Sequence, residues 1–282
     1  MNLKQIRLVA LDLDDTLLNS KGQLLPATKQ AIEELLRLGI EVVIASGRPY
    51  ASLPEAVLSI PGIRYAVTSN GAAIHQVPGG KRIHGFTLTC EAVEAILSVT
   101  ENEPVLLETF IGGVAYADAR YVQDPVRYGA GEKAIGYIQR TRNPVDNIRG
   151  FIKENCGKLD SIDVICPQPE WKSVYAEKIS ALTQDVYLTT SCRQLLEISD
   201  DQAGKASALR DLCNKLEIEP VQCAAFGNAE NDVDMIRFAG LGVAVSNATQ
   251  VCLEAADLIC GSNDEEGVAK VLWDMIKEKT GC

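Results

Sequence analysis

Hydrophobic residues fall into two patterns along this chain. Unbroken apolar runs rich in β-branched residues read as buried strands, and stretches with apolar residues every three or four positions read as amphipathic helices. The runs cover residues 6–11, 40–45, 65–68, 221–226, 241–245 and 257–260. A helical stretch at 28–38 repeats Ala31, Ile32, Leu35, Leu36 and Leu38 between Pro26 and Gly39. Others cover 206–216, 233–239 and 266–279, the last with Val268, Val271, Leu272, Met275 and Ile276 on one face. Strand and helix in alternation predict an α/β fold around a doubly wound parallel sheet.

The pattern changes between about residues 74 and 196. Strand-like segments at 83–88, 105–111, 114–117, 161–166 and 186–190 mix with helical ones at 91–99 and 170–182, around a polar middle. This predicts an inserted α+β domain at 74–196, splitting a core made of 1–73 and 197–282.

Polar chemistry gathers where the core strands end. The first run meets Asp12, Asp14 and Asp15, and carboxylates so crowded call for a cation or a catalytic task. Alternation puts Asp12 and Asp14 on one side, where one can attack as a nucleophile and the other pass a proton; a plain helix cap is the other reading. The second run ends at Ser46-Gly47-Arg48-Pro49, suited to holding an anion on free N–H groups, with Pro49 placed to open a helix, and the third at Ser69-Asn70-Gly71. Lys205 precedes a helix start, where the helix dipole disfavours a cation unless an anion lies between. A further cluster, Gly227 to Asp232, follows the run at 221–226. In such sheets ligands bind beyond the carboxyl ends of the strands, so these clusters can converge.

Composition narrows the partners. A net charge of −11 argues against nucleic acid or an anionic membrane surface. No apolar run approaches the roughly 20 residues needed to span a bilayer, and Met-Asn-Leu-Lys leads straight into a strand, so a cytoplasmic location is expected. Nine cysteines without Cys-Xaa-Xaa-Cys spacing predict reduced, mostly buried thiols. Nothing in the sequence indicates an oligomeric state.

Taken together, Asp12-Leu13-Asp14-Asp15-Thr16, Ala45-Ser46-Gly47-Arg48-Pro49, Ser69-Asn70-Gly71-Ala72, Lys205 and Gly227 to Met235 resemble the Cof-type branch of the haloacid dehalogenase-like (HAD) superfamily. The resemblance implies a Rossmann-like core with an inserted cap, and a Mg²⁺-dependent phosphohydrolase working through an aspartyl-phosphate. It casts Asp12 as nucleophile and Asp14 as general acid and base. Ser46, Gly47, Lys205 and Asn231 would hold the phosphoryl group, and Asp12, Asp14, Asn228 and Asp232 the metal. The substrate would be a small phosphorylated metabolite of the sugar phosphate, flavin or pyridoxal phosphate type, read by cap residues among which the sequence singles out none; Glu108, Thr109, Arg127 and Ser191 are examples. One position departs: the family usually carries aspartate after the glycine where this chain has Asn228, an oxygen donor without charge. A phospho-ligand-binding protein with little turnover and a sugar phosphomutase are the alternatives.

Overall fold

The core strands are apolar on both faces because helices cover both. The computed structural model describes residues 3–281. Five strands come first: β1 (Leu8–Leu11), β2 (Glu41–Ala45), β3 (Tyr65–Thr68), β4 (Ala73–Gln76) and β5 (Arg82–Gly85). Six belong to the insert: β6 (Leu106–Ile111), β7 (Val114–Asp118), β8 (Arg142–Val145), β9 (Leu159–Ile165), β10 (Val186–Thr189) and β11 (Leu195–Asp200). The chain returns with β12 (Cys223–Gly227), β13 (Leu241–Val245) and β14 (Leu258–Cys260).

The core sheet has the order β14-β13-β12-β1-β2-β3-β4-β5 and is parallel from β14 to β3. Val9 and Leu11 of β1 pack beneath the helices Pro26–Arg37 and Gly267–Thr280, while Leu8 and Ala10 face the layer of Lys205–Leu216 and Val233–Phe238. A one-residue slip would exchange the two layers, so burial on both sides fixes the register.

The insert forms a second sheet, β10-β11-β9-β6-β7-β8. One face is an apolar core against the helices Cys90–Val99, Ile148–Glu154 and Trp171–Ser180. The other carries a smaller cluster around Tyr121 and Ile138, and beside it a row of charged residues.

Three sequence expectations need correction. β4 and β5, placed by their sequence within the insert at 74–196, pair antiparallel with β3 and with each other, and extend the core sheet; β11 in turn carries the insert's sheet to Asp200. Ile74 and partly buried Ile83 pack into the core cluster, which ties that hairpin down. Pro49 opens only a single 3₁₀ turn, Tyr50–Ser52, because Pro54 holds Leu53 extended. The thiols are not all free either: Cys90 and Cys156 form a disulfide, and their separation of 66 residues hides the pairing from sequence spacing. Cys166, Cys213, Cys223 and Cys252 are free and buried.

Candidate active site

From β1 the chain fills the sheet outward in both directions, β2 and β3 on one side and β12 to β14 on the other. The carboxyl end of β1 is therefore the switch point where neighbouring loops diverge and leave room for a ligand. Asp12 stands there, buried and in extended conformation, its N–H donating to the Phe226 carbonyl at 3.1 Å.

Lys205 reaches this point from the first residue of its helix. It is only 1% exposed, and its Nζ lies 2.7 Å from Asp12 Oδ1 and 2.6 Å from Asp232 Oδ1. Two carboxylates thus answer the unfavourable position of a cation at a helix start. Burial works against the ammonium, yet Asp12 and Asp232 outweigh it and raise its pKa. Burial and then the Asp232 charge push Asp12 up to about 7, with Lys205 opposing both. Asp232 is fully buried, and its second oxygen accepts the N–H groups of Asn228 and Ala229 at 2.9 and 3.2 Å. With Lys205 and these two N–H groups Asp232 accepts three bonds, which positions Lys205 and the turn and leaves one of its carboxylate lone-pair sites for a metal or a water.

A distorted turn follows Asp12. Asp14 is extended and Asp15 left-handed at φ 56°, which leaves the Asp14 side chain 54% exposed at the mouth of the site. Arg48 grips Asp14 with two bonds of 2.6 and 2.8 Å, and its guanidinium stacks 4.3 Å from the ring centroid of Tyr137, a residue of the insert. Arg48 and Tyr137 therefore join the two domains directly over the paired aspartates.

The second loop supplies anion donors. Ser46 is buried, and its Oγ accepts the Arg48 N–H at 3.1 Å, which leaves the hydroxyl hydrogen free to donate. A Cβ on Gly47 would sit 3.0 Å from Asn70 Oδ1 and 3.3 Å from Glu197 Oε1, so a larger residue there would press on both side chains. Asn70 is left-handed at φ 51°; its N–H donates to the Ser46 carbonyl, and its Oδ1 accepts from Asn231 Nδ2 at 2.9 Å. The Asn231 amide is thus engaged in holding Asn70. Gly71 is required here: a Cβ would lie 2.1 Å from the Gly204 carbonyl oxygen, beside the start of the Lys205 helix.

Asn228 Oδ1 accepts from Thr16 Oγ1 at 3.1 Å, which turns the amide oxygen toward the Asp12–Asp14 loop. Among the described residues no group of three or more His, Cys, Asp or Glu side chains is arranged to hold a metal. The candidate donors are instead one carboxylate oxygen of Asp12, the main chain of Asp14 and the Asn228 amide. That all-oxygen set fits a hard cation that keeps several waters.

Sequence reasoning places Arg48 beside the phosphate loop, as a substrate contact or an exposed salt bridge, and the structure shows a salt bridge to Asp14. It did not single out Asn70, Tyr137, Arg142 or Glu197, and Asn70 lay within a motif that reads as a turn. The other three come from the insert, where Arg142 and Glu197 are charges in strands and Tyr137 lies on the helix Ile135–Thr141, and no local pattern marks any of them. Of the cap examples, Glu108 and Ser191 do reach this row, Thr109 turns to the Ser161 carbonyl, and Arg127 lies near Tyr128.

Residues 9–272 match the model of the haloacid dehalogenase-like hydrolases. The chain is 29% identical to the phosphatase YwpJ of Bacillus subtilis, over 96% of its own length and all of that protein. It is 28% identical to an HMP-PP phosphatase of Yersinia enterocolitica, over 94% of each. A solved HAD-like hydrolase from B. subtilis superposes with a TM-score of 0.81 at 29% identity, covering 95% of this chain and 99% of that one. A subclass IIB sugar phosphatase, at 17% identity, shares the fold with a TM-score of 0.78, over 95% and 98%. No helix among the described residues is long and apolar enough to cross a membrane. The chain belongs to the haloacid dehalogenase-like hydrolase family, in its Cof-type branch.

Proposed function

We propose that this protein is a phosphoric monoester hydrolase that removes phosphate from small phosphorylated metabolites through an aspartyl-phosphate on Asp12. The observation that carries the reading is Asp12 at the switch point, one oxygen held by the buried Lys205. An Asp12 oxygen attacks phosphorus, and the bond from phosphorus to the leaving oxygen breaks as Asp14 delivers a proton to that oxygen. Water then attacks phosphorus and gives a proton to Asp14. The acyl phosphate bond breaks, leaving inorganic phosphate and a free Asp12.

Lys205, the Ser46 hydroxyl and the Gly47 N–H would hold the phosphoryl oxygens, offsetting charge that builds in the transition state. Arg48, backed by Tyr137, orients Asp14. Mg²⁺, held by Asp12, the Asp14 main chain and Asn228, would supply positive charge against the phosphoryl oxygens.

The test is phosphate release from an aryl phosphate with and without millimolar Mg²⁺, in the parent protein and in Asp12→Asn. Release that requires the metal and is lost in Asp12→Asn is expected; equal release from both proteins refutes the nucleophile. Product analysis with a sugar phosphate excludes the phosphomutase reading if free phosphate, and no isomer, appears. Binding without release would favour the phospho-ligand-binding reading.

A further inference from the structure

The face of the insert's sheet turned toward the core carries three carboxylates side by side. Glu108 on β6 pairs in register with Asp163 on β9, and Asp163 with Glu197 on β11. Neighbouring strands lie about 4.8 Å apart, so the three acids form a row across the sheet. The row begins at the phosphate loop, where Glu197 Oε1 approaches Gly47. It ends at Arg142, whose guanidinium binds Glu108 at 2.9 and 3.2 Å and stacks on Tyr137. Tyr137 leads back through Arg48 to Asp14, so the row belongs to a circuit that runs from the phosphate loop to the catalytic aspartates.

Within this circuit the hydrogen bonds do not balance. Asp163 is 1% exposed, yet among the described residues neither of its oxygens receives a bond from an N–H or hydroxyl, and the neighbouring Glu108 carboxyl can bond it only by sharing a proton. Glu197 is buried too, and although Oε1 accepts from Ser191 at 3.0 Å, Oε2 has no donor. Three buried carboxylate oxygens are therefore short of donors. Buried polar groups in folded proteins are nearly always satisfied, and leaving one unmet costs stability, so such a concentration marks a place completed by something else.

The acids do not converge as a metal centre does. Arg142 binds Glu108; burial, then the neighbouring Glu108 and Glu197 charges, push the Asp163 carboxyl well above its ordinary value, and burial pushes Glu197 up, so a cation bound between them is what would keep both ionised. Hydroxyl groups would provide donors without compensating their charge. A primary ammonium provides three N–H donors for three unmet oxygens, and a positive charge as well.

We propose that Asp163 and Glu197 form a subsite for a protonated amine on the leaving group, so that the preferred substrates are aminated phosphate monoesters. This rests on the phosphatase reading for the phosphate end. The core would grip the phosphoryl group while the cap selects the opposite end by charge.

The test uses binding, not turnover. Calorimetry on the full-length protein would compare ω-aminoalkylphosphonates with ω-hydroxyalkylphosphonates of two to six carbons, which cannot be hydrolysed. At the matching length the amine is expected to bind at least about tenfold tighter, the scale of a charge-assisted contact. In Asp163→Asn and Glu197→Gln that ratio should fall toward one. Asp163→Asn should also raise the melting temperature, because an Asn amide can donate to Glu108 and Glu197 where the carboxylate repels them; a purely structural Asp163 would lower it.

Equal binding at every length, a preference for the hydroxyl series, absence of binding by either series, or an amine preference that survives both substitutions would each overturn the subsite. Aryl phosphate turnover lost in Asp12→Asn would in those cases leave the phosphatase reading standing. Failure of that turnover alongside an intact amine preference would overturn only the phosphatase reading.

Discussion

Replacing Lys205 with methionine tests how the site is held together, because the methionine keeps most of the volume and removes the charge. The ammonium lies 2.7 Å from Asp12 and 2.6 Å from Asp232, out of water. At an effective dielectric of about 20 each attraction is worth about 6 kcal/mol. Dehydrating the ammonium, and the repulsion between the two carboxylates, offset much of this. Breaking a buried pair from one side typically costs about 3–5 kcal/mol, because the partner charge is left without compensation. At about 2–4 °C per kcal/mol for a chain of this size, the melting temperature should fall by about 6–20 °C, read by scanning calorimetry. Aryl phosphate turnover should drop by about a hundredfold or more, since the phosphoryl oxygens lose a fixed cation. Asp232→Asn in the Lys205→Met background should recover part of the loss, because one of the two stranded carboxylates is gone. A cost below about 1 kcal/mol, typical of exposed pairs, would refute the reasoning. So would an Asp232→Asn change that adds its full penalty to that of Lys205→Met.

Other residues give further expectations. Gly71→Ala places a Cβ 2.1 Å from the Gly204 carbonyl oxygen, at φ 92°. It should cost about 2–5 kcal/mol in urea unfolding and lower turnover by shifting the Lys205 helix. Asn228→Asp should lower the Mg²⁺ needed for half-maximal turnover by about tenfold, and an unchanged requirement would remove Asn228 from the metal set. Burial, then the Arg82 charge, lowers the pKa of His75 from 6.5 to about 4. The unfolded chain therefore binds the additional proton between those values, and stability should fall by up to about 3 kcal/mol as pH drops from 7 to 4. Urea unfolding across that range should show His75→Gln losing this part of the pH dependence.

The core was legible because its strands are buried on both faces and their polar residues cluster at one end. Asp12, Ser46 and Lys205 could be picked out by the chemical oddity of each position, and parallel topology then brings them together. The roles of Asn70 and Asp232 were harder to read. An Asn-Gly pair reads as a turn whether or not its amide receives a hydrogen bond from Asn231, and that Asp232 also holds Lys205 and the turn N–H groups emerges only once their positions are known. The boundary of the insert was misplaced for a related reason. An antiparallel hairpin looks alike whether it extends the core sheet or starts a new one, and Ile74 and Ile83 decide between them only through what they pack against.

The cap site was illegible for a different reason. Glu108, Asp163 and Glu197 sit in separate strands, each flanked by apolar residues such as Leu107, Ile162 and Ile198 that face the opposite side of the sheet. In sequence each is an acid among apolar strand residues, the usual mark of a solvated face. Only the register sets them in a row, and only the packing of the folded chain closes that row off from water. Where an insert supplies one wall of a site, its functional residues therefore carry the pattern of surface residues, and burial together with unmet hydrogen-bonding capacity is what separates the two. Asp163, buried and without a donor, meets that criterion most clearly in this chain.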